Sequence, residues 1–169
     1  MIAVSDTSPL NYLVMIGAVD LLPDLFGNIV IPGAVRDELS NPRAPDPVRQ
    51  WIAHFPPWLD VRNLKFKGDK TLDGLQQGER DSIFLAEMLG ADLVLLDEKT
   101  ARTVAQERGL QVTGTLGLLD LAGLRGLIDI PQAVDLLRQT TFRATPALYK
   151  LLLDPSCLKS LQTLRTVIR

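Results

Sequence analysis

Apolar residues along this chain gather in short unbroken runs closed by polar residues, and between the runs they recur at helical spacing. Ile2–Ser5, Ile29–Ile31, Asp92–Leu96 and Leu110–Val112 read as strands, and Trp58–Val61 as an extended piece. The Leu93-Val94-Leu95-Leu96 run is apolar at successive positions, so both faces of that strand must be covered, as in the centre of a parallel sheet. Helices are predicted from Ser8 as N-cap with Pro9 in the first turn through Ile16, then over Val19–Phe26, and from Pro32 through Val35, Glu38 and Leu39. Further helices are expected at Val48–Phe55, Gln76–Leu89 closed by Gly90, Glu98–Arg108 stopped by Gly109, Leu116–Leu124, Pro131–Arg138 and Pro146–Leu153. Asn41–Pro47 holds three prolines and is expected to be loop, and Lys65–Gly74 a polar surface excursion. Strands alternating with helices predict an α/β fold with right-handed crossovers and a parallel sheet covered on both faces.

Beyond about Pro155 the pattern changes. Leu158, Leu161, Leu164 and Ile168 recur at helical spacing with Lys159, Gln162, Arg165 and Arg169 between them. Residues 1–154 are therefore expected to form one domain and residues 155–169 an amphipathic helical tail, peripheral to the core and suited to partner contact.

A chain of 169 residues, 46% hydrophobic, can bury a proper core, and with 5% aromatics that core is mainly aliphatic. The net charge of −2 gives no global attraction to a polyanion, so nucleic-acid contact would need local patches. Arg62, Lys65, Lys67 and Lys70 supply one such cluster, diluted by Asp69. A lone cysteine, Cys157, excludes an internal disulfide. The first strand begins at Ile2 without a basic leader, and no apolar run approaches the roughly 18 residues of a membrane span. A soluble cytoplasmic protein, without membrane contact, is the expectation.

The strand and helix ends deliver acids: Asp6 after the first run, Glu38 on the third helix, Glu79 in Gly78-Glu79, and Asp97 after Leu96. Singly, each has an ordinary structural reading. Asp6 and Asp97 can cap the following helices, Glu79 can favour a helix N-terminus, and Glu38 can face solvent. Together they suggest more, because Asp6 and Asp97 fall at carboxyl ends of parallel strands, where such folds place their ligands. Converging acids repel unless a cation neutralises them, and hard divalent cations take oxygen ligands. Asp37 and Glu98 rank lower, since adjacent helical positions point in different directions. His54, beside Phe55-Pro56-Pro57, reads as a surface or packing residue. A phosphoaspartyl hydrolase would need a second acid where Ser8 stands.

The ordered set resembles the PIN-domain nucleases, and more closely the prokaryotic PIN-like family called domain of unknown function 3368. The residues carrying it are Asp6-Thr7-Ser8-Pro9-Leu10, Ile31-Pro32-Gly33-Ala34-Val35 with Glu38-Leu39, Gly78-Glu79 with Ile83 and Leu85-Ala86, Leu95-Leu96-Asp97-Glu98 with Ala101-Arg102, and Val112-Thr113-Gly114-Thr115-Leu116-Gly117. The resemblance implies a three-layer α/β/α fold with a mostly parallel sheet. It implies that Asp6, Glu38, Glu79 and Asp97 hold Mg²⁺ or Mn²⁺, with Thr7 or Ser8 hydrogen-bonding the carboxylates and Arg102 as a supporting, phosphate-facing cation. Many PIN nucleases carry Asp where this chain has Glu79. The activity implied is metal-dependent endoribonuclease cleavage of single-stranded RNA, contacted through Lys65, Lys67 and Lys70. A toxin role, a small antitoxin partner and a homodimer go with it. The alternative is a non-catalytic PIN-like binding or interaction module.

Overall fold

The computed structural model describes residues 1–64 and 69–154. Among them, β1 (Ala3–Ser5), β2 (Ile29–Pro32), β3 (Leu59–Arg62), β4 (Leu93–Leu95) and β5 (Val112–Thr113) form one sheet in the order β3-β2-β1-β4-β5, and every pairing is parallel. The connecting helices are α1 (Thr7–Met15), α2 (Leu21–Phe26), α3 (Gly33–Leu39), α4 (Asp46–Ala53), α5 (Gln77–Leu89), α6 (Lys99–Glu107), α7 (Thr115–Leu124), α8 (Ile130–Arg138) and α9 (Pro146–Leu153).

The period of two along each strand splits the core between the two faces of the sheet. Ala3, Ile29, Ile31, Leu93 and Leu95 join one apolar cluster with residues of α1, α4, α7 and α8. Val4, Val30, Val94 and Leu96 join the other, against Ile83, Leu85 and Ala86 of α5 and Ala101 and Ala105 of α6. The result is the expected three-layer α/β/α fold, and the run 93–96 is buried on both sides. No helix among the described residues is long and apolar enough to cross a membrane.

Most helix starts lie one or two residues from the sequence reading, and two of the shifts have a physical reason. Asp6, not Ser8, occupies the N-cap position of α1, with an extended backbone and no side-chain cap hydrogen bond. Pro9 is tolerated within the first turn because the first four helical amides have no intrahelical acceptor to lose. The same physics lets α4 begin at Asp46, inside the expected loop, with Pro47 in its first turn. Gly90 ends α5 in the left-handed conformation (φ 58°), as its position required. Residues 155–169 lie outside the described residues, and so does the helix expected there.

Candidate active site

The strand order places the site. Successive strands β1, β2 and β3 run outward on one side of β1, and β4 and β5 run outward on the other. The crevice between β1 and β4 is the point where a parallel α/β sheet opens at its carboxyl edge. Asp6 and Asp97 leave the sheet on either side of it. The Asp6 amide still donates to the Leu95 carbonyl at 3.0 Å, and the Leu96 amide to Thr113 at 2.8 Å, so the ladder fixes both acids up to the point where the chain turns away.

Glu38 reaches this edge from the last turn of α3. The Thr7 hydroxyl donates to one of its carboxylate oxygens, and the Gly78 amide donates to the other at 3.0 Å. Glu79 stands in the first turn of α5 and accepts from the Gln76 amide at 3.0 Å. It therefore does cap its helix, and it also faces the acids. The Ser82 hydroxyl ties α5 to the end of β1 through the Ser5 carbonyl at 3.3 Å.

Gly78 is where the acids crowd together. A Cβ on Gly78 would lie 2.8 Å from Asp6 Oδ1 and 2.8 and 2.9 Å from the two oxygens of Glu38. Residues 6, 38 and 78 thus close on one small volume from three different elements, and the space a side chain would fill is lined by carboxylate oxygens. Asp97 is held separately. Thr115, the first residue of α7, donates its amide to Asp97 Oδ1 and its hydroxyl to Oδ2, both at 2.7 Å. Arg102, half-buried on α6, leans over the same spot, since a Cβ on Gly114 would meet Asp97 Oδ1 at 2.6 Å and Arg102 Nη1 at 2.8 Å.

The model of the family domain of unknown function 3368, a PIN domain, matches residues 2–156. This chain belongs to that family. Its PIN domain is similar to a PilT N-terminus domain protein from the hyperthermophilic archaeon Sulfolobus solfataricus P2, with a TM-score of 0.50 and 18% identity over 86% of this chain and 98% of the other. At that identity the likeness speaks for the fold. No curated protein matches the chain.

Electrostatics couple Asp6, Glu38 and Glu79 of this PIN domain, while Asp97 answers to its own neighbours. Burial pushes the Asp6 carboxyl up to about 7, the negative charges of Glu79 and Glu38 add to the rise, and the Thr7 and Ser8 amides oppose it. Burial likewise raises Glu79, opposed by the Gln76 amide and reinforced by the charges of Glu98 and Glu38. Asp97 is raised by burial, against the pull of Thr115 and Arg102. Asp81, buried on α5, is raised in the same way, with Arg80 and Gln77 opposing and Glu38 adding. Glu98 belongs in this field although its sequence position seemed unfavourable. It is the N-cap of α6 and not a helical residue, so its direction is not set by helical spacing to Asp97. Asp37 is exposed and pairs with Arg36.

PIN domains are generally divalent-metal-dependent nucleases, and the donor set here suits such an ion. The donors are carboxylate oxygens only, Asp6 and Glu79 are buried, and the charge of Glu38 helps raise both, which is the condition a hard cation relieves. Among the described residues no three acids stand close enough to clasp one ion, so the four do not converge as the sequence suggested, and Asp97 is held by Thr115. Of the basic cluster, Arg62 pairs with Asp60, Lys70 opens a short 3-10 turn ending at Leu72, and Lys65 and Lys67 lie outside the described residues. Sequence reasoning quoted Gly78 and Thr115 within motifs without giving either a role. The signal available was their type, a glycine beside an acid and a threonine opening a helix after a strand.

Proposed function

We propose that this PIN domain is a Mg²⁺- or Mn²⁺-dependent endoribonuclease acting on single-stranded RNA, with Asp6, Glu38, Glu79 and Asp97 as metal ligands. The observation that carries the reading is the crowding of Asp6 and Glu38 at Gly78, where a side chain is excluded and carboxylates meet whose repulsion a nearby cation would relieve. When bound, the ion supplies charge neutralisation at the phosphodiester and activation of the attacking water. The chain supplies the rest. Thr7 and the Gly78 amide orient Glu38, Thr115 orients Asp97, and the apolar strands beneath keep the carboxylates dry. Arg102, beside Asp97, would face a substrate phosphate. No Ser, Cys or His nucleophile is called for.

The test is cleavage of a labelled single-stranded RNA with Mg²⁺ or Mn²⁺, repeated in EDTA and with Asp6→Asn. Loss in both arms supports the reading. Cleavage undiminished in EDTA, or equal in the variant, overturns it. Family membership further supports a place as the toxin of a toxin–antitoxin pair, as a homodimer held by a small antitoxin in the cytoplasm. A small reading frame beside this one, whose product co-purifies with it, is the check. A second reading, a non-catalytic interaction module, draws support from Asp97, both of whose oxygens are already engaged by Thr115. Calorimetric titration with Mn²⁺ separates the two, since a module without a site releases no binding heat.

A further inference from the structure

Beside Asp97 the surface sinks into a cavity of about 360 Å³ between the start of α7 and the segment from Phe142 to Leu152. Its lining divides by chemistry. Lys99, Arg102 and Arg143 bring cations to it, and Phe142 and Leu148 bring apolar surface. Lys99 and Arg143 are exposed and make no ion pair with any described residue. Leu148 is 47% exposed, a large aliphatic side chain left in water next to those cations. A purely structural pocket would not gather unpaired cations and an exposed leucine in one lining. Each half is ordinary; the combination matches a molecule with a flat apolar body and an anionic edge.

We infer that this pocket seats one nucleotide of a single-stranded nucleic acid, its base against Phe142 and Leu148 and its backbone phosphates against Lys99, Arg102 and Arg143. The inference rests on the nuclease reading for its relevance, because the pocket shares Asp97 with the acid site and would deliver the neighbouring phosphodiester to it. Contact of a base with an apolar wall is sequence-tolerant, since every base has a π-face, and phosphate contacts add affinity without choosing a sequence. The pocket would therefore set register, placing one linkage at the acids.

The experiment is fluorescence anisotropy of the full chain with a fluorescein-labelled single-stranded RNA in EDTA, where binding is read without cleavage. Arg143→Glu and Leu148→Asp alter exposed side chains, so the fold is kept, and unchanged melting temperatures verify it. Each is expected to weaken binding about tenfold. Arg125→Glu, at the opposite end of α7, makes the same charge change and is expected to cost less than about threefold. A second oligonucleotide carrying 2-aminopurine should change its emission on binding the wild type and not Leu148→Asp. Equal losses from Arg125→Glu and Arg143→Glu, affinity unaltered by Leu148→Asp, or no binding by the wild type would overturn the inference. Cleavage is scored separately: a chain that cleaves but passes none of these tests keeps the nuclease reading and loses the pocket, and one that binds as expected without cleaving does the reverse.

Discussion

Thr115 holds both carboxylate oxygens of Asp97, the backbone amide on one and the hydroxyl on the other, each at 2.7 Å. Thr115→Val keeps the shape and the amide and removes the hydroxyl. The carboxylate then loses its orientation about one bond. We expect stability to fall by about 1–2 kcal/mol and Mn²⁺ affinity to fall about tenfold or more, as when a residue orienting a metal ligand is lost. Chemical denaturation and calorimetric titration measure the two separately; Thr115→Ser should retain most of both.

Gly78→Ala should behave against helix propensity. Alanine is the better helix former by about 1 kcal/mol in an ordinary helical position. Here its methyl would lie 2.8 Å from Asp6 Oδ1 and from Glu38. The carboxylates must separate, and the expected outcome is a net loss of about 1–3 kcal/mol together with loss of metal-stimulated cleavage. A variant more stable than the parent and equally active would show that the crowding has no consequence.

The acids also make a pH signature. The Asp6 carboxyl is raised in the folded chain to about 7 from 3.8. Between those values the folded state binds more protons than the unfolded, so metal-free stability falls as pH rises through the window. Taking Asp6 alone, the fall from pH 5.5 to 8 should be about 2 kcal/mol. The upward shifts of Glu79, Asp81 and Asp97 act in the same direction. Urea denaturation in EDTA at the two pH values tests this. Asp6→Asn should flatten the dependence and be at least as stable as wild type at pH 8, and Mg²⁺ should restore stability to the wild type there.

Away from the site, Arg108 makes a two-pronged contact with Glu87, both bonds at 2.7 Å, and reaches Thr71 at 2.7 Å. It fastens the turn before α5 to the end of α6. Arg108→Gln should destabilise by about 1 kcal/mol, seen as a small drop in melting temperature, and leave metal affinity unchanged.

Much of this was readable in the sequence, because it rests on local rules. Runs such as Leu93–Leu96 declared a strand covered on both faces, Gly90 declared a helix end, and the strand-end position of Asp6 and Asp97 pointed to the carboxyl edge of the sheet. What escaped depends on contacts through space. Gly78 matters for what lies 40 positions away at Glu38, and Thr115 for what lies 18 positions away at Asp97, and neither relation leaves a periodic trace. Glu98 was read as the first residue of its helix where it is the N-cap, a boundary one residue off. Pro47 was read as a breaker where it is a starter, since proline does both and only the packing of Val48 and Ile52 decides.

The sheet ends in two very different borders. β5 is two residues long and buried, and β3 carries Asp60 and Arg62, paired to each other on the outermost strand. A short border offers few free backbone groups, and a charged one resists a neighbour's apolar strand. Such a sheet does not invite extension by a strand from another chain. A destabilised variant should therefore fail by exposing its core before it fails by growing sideways into fibrils.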